Sequence, residues 1–341
     1  MLMRVGMYYS NKDVRVEKIP IPEIGEREIL VKVKASGICG SDVMEWYRIK
    51  KAPRVLGHEI TGDIVKVGNE VKKFKIGDRV FVSHHVPCNR CKYCFEGNHT
   101  LCDTLRSTNF YPGGFAEYIR VPEINVDRGV FILPEEISYD EGVFIEPLAC
   151  VLRGFKIADI RAGNTVLIIG SGIAGLLQIK VAKAFGAKKI IAVDINDYRL
   201  KKAKEFGADV ILKANEDVKK RIKEVNDGYL ADRVILSAGV TSAFLQAIDC
   251  VERGGTLLLF APLNPDENIP LNIFDIWNRG IRIVSSYAGS PADIFEAIEM
   301  LKNKKIEVEN MITHRLPIDE IQKGFDLVAN AKESIKVIIY P

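Results

Sequence analysis

The chain has 341 residues, 48 basic and 45 acidic side chains, a formal net charge of +3 and 47% hydrophobic residues. That length suggests two domains rather than one core, and a near balance of charge without a basic stripe argues against a nucleic-acid partner. No apolar run reaches the roughly eighteen residues of a membrane span, residues 1–10 lack the apolar core of a signal peptide, and the odd count of seven cysteines suits reduced, metal-binding thiols better than disulfides; a soluble cytoplasmic protein is expected.

In chain order, β-branched runs broken by Gly, Pro, Asn and Asp predict strands at 14–19, 29–35, 60–67, 79–82 and 116–121, an all-β region whose loops carry sites. From residue 165 the texture changes to apolar strands alternating with amphipathic helices. Strands are expected at 165–170, 189–194, 210–212, 233–238, 256–260 and 281–286. The intervening helices are expected at 174–185, 198–206, 216–225 and from 238 to about 252. This rhythm predicts a doubly wound parallel sheet. A helix over 291–303 and a strand over 335–340 close the chain. Lysine runs such as Lys201-Lys202 and Lys219-Lys220 read as solvated helix faces.

Cys88, Cys91, Cys94 and Cys102 follow a CxxCxxCx7C spacing. Four thiolates on one short loop make a closed tetrahedral shell for Zn²⁺, hence a structural site. The loop holds Arg90, Lys92 and Arg106 against Glu96 and Asp103, so a nucleic-acid-binding zinc module is the weaker alternative. Downstream, Gly170-Ser171-Gly172-Ile173-Ala174-Gly175 follows an apolar strand and opens a helix, the context in which glycines let a pyrophosphate approach a helix N-terminus. Asp194 ends the next strand, where a carboxylate accepts from a ribose 2′-hydroxyl and repels a 2′-phosphate, favouring NAD over NADP. Arg199 is expected on the adenosine side or at the surface.

Three further segments hold zinc-ligand types: Cys39 with Ser41 and Asp42, His58 with Glu59, and Glu146. One thiolate, one imidazole and one or two carboxylates leave a coordination position open, as a catalytic zinc requires.

The series GICGSD, GHE, the four-cysteine loop, PGGFAEY, EPLAC and GSGIAG, in that order over essentially the whole length, resembles the zinc-dependent medium-chain dehydrogenases of the alcohol, sorbitol and threonine dehydrogenase family. The resemblance implies an α/β and β fold: a GroES-like catalytic domain (1–147 and 287–341) around a Rossmann NAD-binding domain (148–286). By the same resemblance Cys39 and His58 become zinc ligands, and Glu59 and Glu146 carboxylates at or near the metal. Asp42 falls where relatives have a supporting acid and Ser41 where they have the relay hydroxyl. Where several relatives carry a relay histidine this chain has Met44, so the proton is expected to leave by water or through Glu45. The implied reaction is zinc- and NAD-dependent oxidation of a secondary alcohol: a polyol, sugar alcohol, diol or L-threonine. A phosphorylated or cyclic polyol is the alternative, and a zinc-independent quinone reductase is disfavoured by Cys39, His58 and Glu146. A homo-oligomer is expected, a tetramer over a dimer, with 281–286 as the candidate sheet edge. His84, His85 and Arg153 are weighed as substrate-facing, Tyr111 as packing, Cys150 and Cys250 as buried bystanders, and Trp46 and Trp277 as core.

Overall fold

Antiparallel pairing dominates the first third of the chain, whereas the strands between residues 165 and 285 pair in parallel. The computed structural model describes residues 1–341. Its strands are β1 (Leu2–Ser10), β2 (Asp13–Pro20), β3 (Ile29–Gly37), β4 (Arg54–Val55), β5 (Glu59–Val67), β6 (Arg79–Val82), β7 (Tyr118–Val121) and β8 (Val130–Ile132). They continue as β9 (Thr165–Ile169), β10 (Lys189–Asp194), β11 (Val210–Lys213), β12 (Ala231–Leu236), β13 (Val251–Leu259) and β14 (Arg282–Ser285), and close with β15 (Ile312–Pro317) and β16 (Lys336–Tyr340). The chain divides into two units, Met1–Ala149 with Ala288–Pro341, and Cys150–Tyr287.

In the first unit only the middle of β3 alternates in burial. Ile29, Val31 and Val33 are buried while Lys32 is exposed, the period-two pattern of side chains pointing to opposite faces. The inward residues join Ile60, Ile64, Val80, Val82, Ile119 and Val121 in one core. A second core gathers Met3, Val5, Tyr8, Ile38, Phe115, Phe325, Val337 and Ile339. The larger sheet runs β15-β16-β3-β5-β6-β8, with β7 also on β3. This order puts the last strand of the chain beside the end of β3, where Ile338 pairs with Gly37, while Gly37 pairs with Glu59 on its other side.

In the second unit the sheet order is β11-β10-β9-β12-β13-β14, the 3-2-1-4-5-6 order of a doubly wound dinucleotide fold. All five residues of β9 are buried, as expected of a strand covered by helices on both faces. The strand order reverses between β9 and β12, so the loop after β9 lies at the point where such folds bind ligands. The glycine-rich segment is that loop, and the helix Ile173–Ala184 follows it.

Several expectations need correction. The helix expected to reach about residue 252 spans Thr241–Asp249, and β13 begins at Val251, whose register partner is Ala231; strand pairing overrides the helical pattern there. Trp277 is 74% exposed and Trp46 38% exposed, so neither is core. β1, β15 and the helix Ile321–Asn330 went unread. In β1 the alternation is interrupted by Gly6, which makes room for Ile321.

Gly175 has no room for a side chain, because a Cβ there would collide with the Gly170 carbonyl. Gly172, at φ −70°, would present a Cβ whose nearest neighbour is the Arg199 guanidinium carbon at 4.0 Å. Gly175→Ala is therefore expected to cost about 1–3 kcal/mol in urea unfolding, and Gly172→Ala to leave the midpoint nearly unchanged while weakening nucleotide binding in a fluorescence titration.

Candidate active site and nucleotide cradle

Cys88, Cys91, Cys94 and Cys102 come together so that their sulfur atoms all lie within 4.8 Å of one another. The Cys91 and Cys94 sulfurs are 3.5 Å apart, and the Cys88 amide donates to the Cys102 sulfur at 3.4 Å. Burial works against the Cys102 thiolate, but amides of Cys88 and Leu105 overcome it and hold that thiol down at about 6. Burial, with the neighbouring Cys91, pushes Cys94 up to about 12. The core of this lobe is little more than Cys94, Cys102 and Leu105, too small to hold a fold by hydrophobic burial. A thiolate-bound Zn²⁺ fits this donor set and would supply the missing cross-link.

The second cluster is built where β3 ends and β5 begins. Cys39 caps the turn Gly40–Val43: its sulfur accepts from the Ser41 amide at 3.4 Å, and the Asp42 carboxylate accepts from the Cys39 amide at 3.1 Å. His58 follows Gly57, whose φ of +88° and close approach to the Phe115 amide require glycine. One donor atom each from Cys39, His58 and Glu59 lie within 4.8 Å of one another. Asp42 is fully buried, with Oδ1 3.5 Å from His58 Nδ1 and 3.4 Å from Arg48 Nη2. Burial alone would raise the Asp42 pKa; His58 and then Arg48 overcome that and hold it below the usual range. A carboxylate beside Nδ1 leaves Nε2 of the same ring for a metal, the arrangement that orients a metal-binding imidazole. These residues therefore fit a zinc ion.

Glu146 is not one of those three close donors. It lines a small cavity with Ser83, His84, His85 and Gly289. His84 stacks near His58 at 4.9 Å between ring centres and near His85 at 3.7 Å. Burial first, then neighbouring imidazoles and Arg48, drive both His84 and His85 down, His85 to about 3. Both are neutral rings at physiological pH, able to donate or accept a hydrogen bond.

Two residues in this region were missed from the sequence. Lys336 and Glu59 are fully buried and bonded to each other through Lys336 Nζ and Glu59 Oε2. Gly37 leaves room for both, since a Cβ there would meet the Glu59 carboxylate and the Lys336 side chain. A lone lysine in the apolar run Ile335–Ile339 is the signal that could have found it. Arg48 is the other, donating from Nε to the Ser41 carbonyl and from Nη2 to Ser41 Oγ, each at 2.9 Å. Glu45 Oε1 accepts from the Asn11 amide at 3.0 Å, and the Glu45 side chain is exposed.

In the second unit Gly170 takes φ +99° and Gly172 precedes the helix Ile173–Ala184, with Ile173 and Ala174 as its first residues. Asp194 braces the loop: Oδ2 accepts from the Ser171 amide at 2.6 Å and Oδ1 from the Asn196 amide at 2.8 Å. Arg199 reaches back over Gly172, and its buried Nε has no partner in the chain. Open space at Gly172 and an unsatisfied guanidinium beside it fit a dinucleotide pyrophosphate or ribose.

Residues 25–129 match the model of the alcohol dehydrogenase GroES-like domain and residues 174–303 that of the zinc-binding dehydrogenases. The sorbitol dehydrogenase of Bacillus subtilis is 33% identical, across 99% of this chain and 97% of its own length. The L-threonine 3-dehydrogenase of Caldanaerobacter subterraneus subsp. tengcongensis is 34% identical, across 100% and 99%. A zinc-binding dehydrogenase of Sinorhizobium meliloti 1021, solved bound to NADP, superposes with a TM-score of 0.89 at 32% identity, covering 100% of both chains. The chain belongs to the zinc-dependent medium-chain dehydrogenase family, with a GroES-like domain and a Rossmann domain.

Removing one member of a buried ion pair strands the other charge, at a cost of about 3–5 kcal/mol. Lys336→Met is expected to destabilise the protein by that amount in urea unfolding, and Lys336→Met with Glu59→Gln to recover most of it.

Proposed function

We propose that the protein interconverts a secondary alcohol and its ketone with NAD⁺, using a zinc ion held by Cys39, His58 and a carboxylate from Glu59 or Glu146. The observation that carries this reading is the Cys39, His58 and Glu59 donor set with Asp42 behind the His58 ring. When bound, zinc supplies a Lewis acid that eases ionisation of an alcohol, and NAD⁺ accepts the hydride.

The chain's own residues handle the proton. Ser41 Oγ accepts from Arg48 Nη2, which leaves the hydroxyl proton to be donated onward and a lone pair to receive one from an alcohol. Met44 cannot continue such a path, while the exposed Glu45 carboxylate can pass a proton to water. Neutral His84 and His85 beside His58 supply hydrogen bonds to further hydroxyls of a polyol.

Support for NAD over NADP comes from Asp194, a carboxylate at the end of β10 that would repel a 2′-phosphate, and from Arg199, whose place over Gly172 turns it toward the glycine loop. Self-association is part of the same reading. β14 ends the sheet of the second unit, and Ile273, Phe274 and Trp277 are exposed in that unit, the kind of apolar surface that marks an interface.

The test is NAD⁺ reduction across polyols, diols, simple secondary alcohols and L-threonine, after chelation and after zinc restoration. Turnover restored by zinc and lost in Cys39→Ser is expected, with kcat/KM for NAD⁺ at least about tenfold above that for NADP⁺. Turnover indifferent to Cys39→Ser would refute the zinc assignment, and NADP⁺ preference would refute the role given to Asp194. In light scattering, Trp277→Glu is expected to lower the molar mass of the assembly.

A further inference from the structure

We propose that Lys336 is a positioning residue for the metal site at Cys39, His58 and Glu59. Its buried cation offsets the Glu59 carboxylate, so that a zinc ion there is held loosely and left one negative charge short, a deficit that an ionised substrate hydroxyl fills. This deepens the zinc dehydrogenase reading above and rests on it.

β16 lies between β15 and β3, and Lys336 is fully buried on it. A lysine so placed does not carry its ammonium out to water along an apolar surface, as exposed lysines do. Its Nζ instead donates to Glu59 Oε2 and lies 5.4 Å from the centre of the Phe144 ring. Glu59 is only 1% exposed, and it is also one of the three close donors. Stability gives little reason for such a pair, because well-packed apolar residues hold a fold as well as a buried ion pair does. Its location gives a better one, since the anionic partner is a member of the donor set.

The charges around the site can be followed group by group. With zinc bound, the Cys39 thiolate and the Glu59 carboxylate bring two negative charges and a neutral His58 none, which together match Zn²⁺. Asp42 and Arg48, 3.4 Å apart, offset each other behind His58. The buried rings of His84 and His85 add no charge. Glu146 lines the cavity beside those rings and is not one of the close donors. Lys336 therefore tips the balance, and between groups this deeply buried the solvent screens little. A metal one charge short binds its ligands less tightly and favours an anion in its open position. A partner that merely orients a ligand acts in the opposite direction and strengthens metal binding.

That difference in sign is the test. Lys336→Met removes the side chain's charge, and Lys336→Gln removes the charge while keeping a hydrogen-bond donor, a milder change for the fold. Each protein is loaded with zinc, desalted and mixed with a colour-forming zinc chelator; the phase of release that is missing from Cys39→Ser belongs to this site. Both variants are expected to unfold at lower urea than the wild type, yet to release this zinc at least about tenfold more slowly, the scale on which partners of metal ligands act. Adding Glu59→Gln to either is expected to undo the gain. With the site filled, kcat on the alcohol that the wild type oxidises best is expected to fall by at least about tenfold. Release from Lys336→Gln as fast as from the wild type, or faster, would overturn the role of Lys336 and leave the dehydrogenase reading standing. A wild type with no release phase dependent on Cys39 would overturn both. The release measurement needs no substrate, so it decides the role of Lys336 even if no alcohol is oxidised.

Discussion

The buried ion pair between Lys336 and Glu59 is the constraint on which the first unit's site depends. It ties β16, the last strand, to the first residue of β5, one position after His58, across the end of β3 that leads into Cys39. Both side chains are out of water, where an unpaired charge is expensive. The pair can form only if β16 lies beside Gly37, so residues some three hundred positions apart must find one register before the donor cluster exists. Gly37 is part of the same condition, since any larger residue would occupy the place of the carboxylate and the lysine.

Carboxylates serve as braces in both units. Asp42 receives the Cys39 amide and faces His58 and Arg48. Asp194 receives the amides of Ser171 and Asn196, and so joins the glycine loop to the end of β10. In each place a buried acid is surrounded by amides or cations, and through those bonds it fixes the backbone that carries the chemistry. Asp194 thereby holds the loop, and any residue replacing it would have to accept the same two amides.

Much of this was legible in the sequence, because the signals were local. CxxCxxCx7C places four thiols by spacing alone, and GSGIAG after an apolar strand defines a strand-loop-helix turn whose partners are a few residues away. A β-branched run at 29–35 marked β3, and apolar runs marked β9 and β10. What stayed hidden depends on contacts distant in the chain. Lys336 looks like a solvated lysine until β16 is paired with β3, and Arg48 is one of several cations in a polar stretch until the turn after Cys39 folds it onto Ser41. Trp277 misled in the opposite sense: hydrophobicity argued for burial, while the structure leaves it on the surface near the edge of the sheet. The end of the helix Thr241–Asp249 was missed because pairing of Val251 with Ala231, not local propensity, decides it.

The central claim is that the first unit holds two distinct metal sites, one in the four-cysteine lobe and one at Cys39, His58 and a glutamate. Zinc content per chain, measured by mass spectrometry on the wild type and on Cys39→Ser after equal zinc loading and desalting, tests it most directly. Two zinc ions falling to one in the variant is the expected result. A single ion in the wild type, or two that persist in Cys39→Ser, would contradict it.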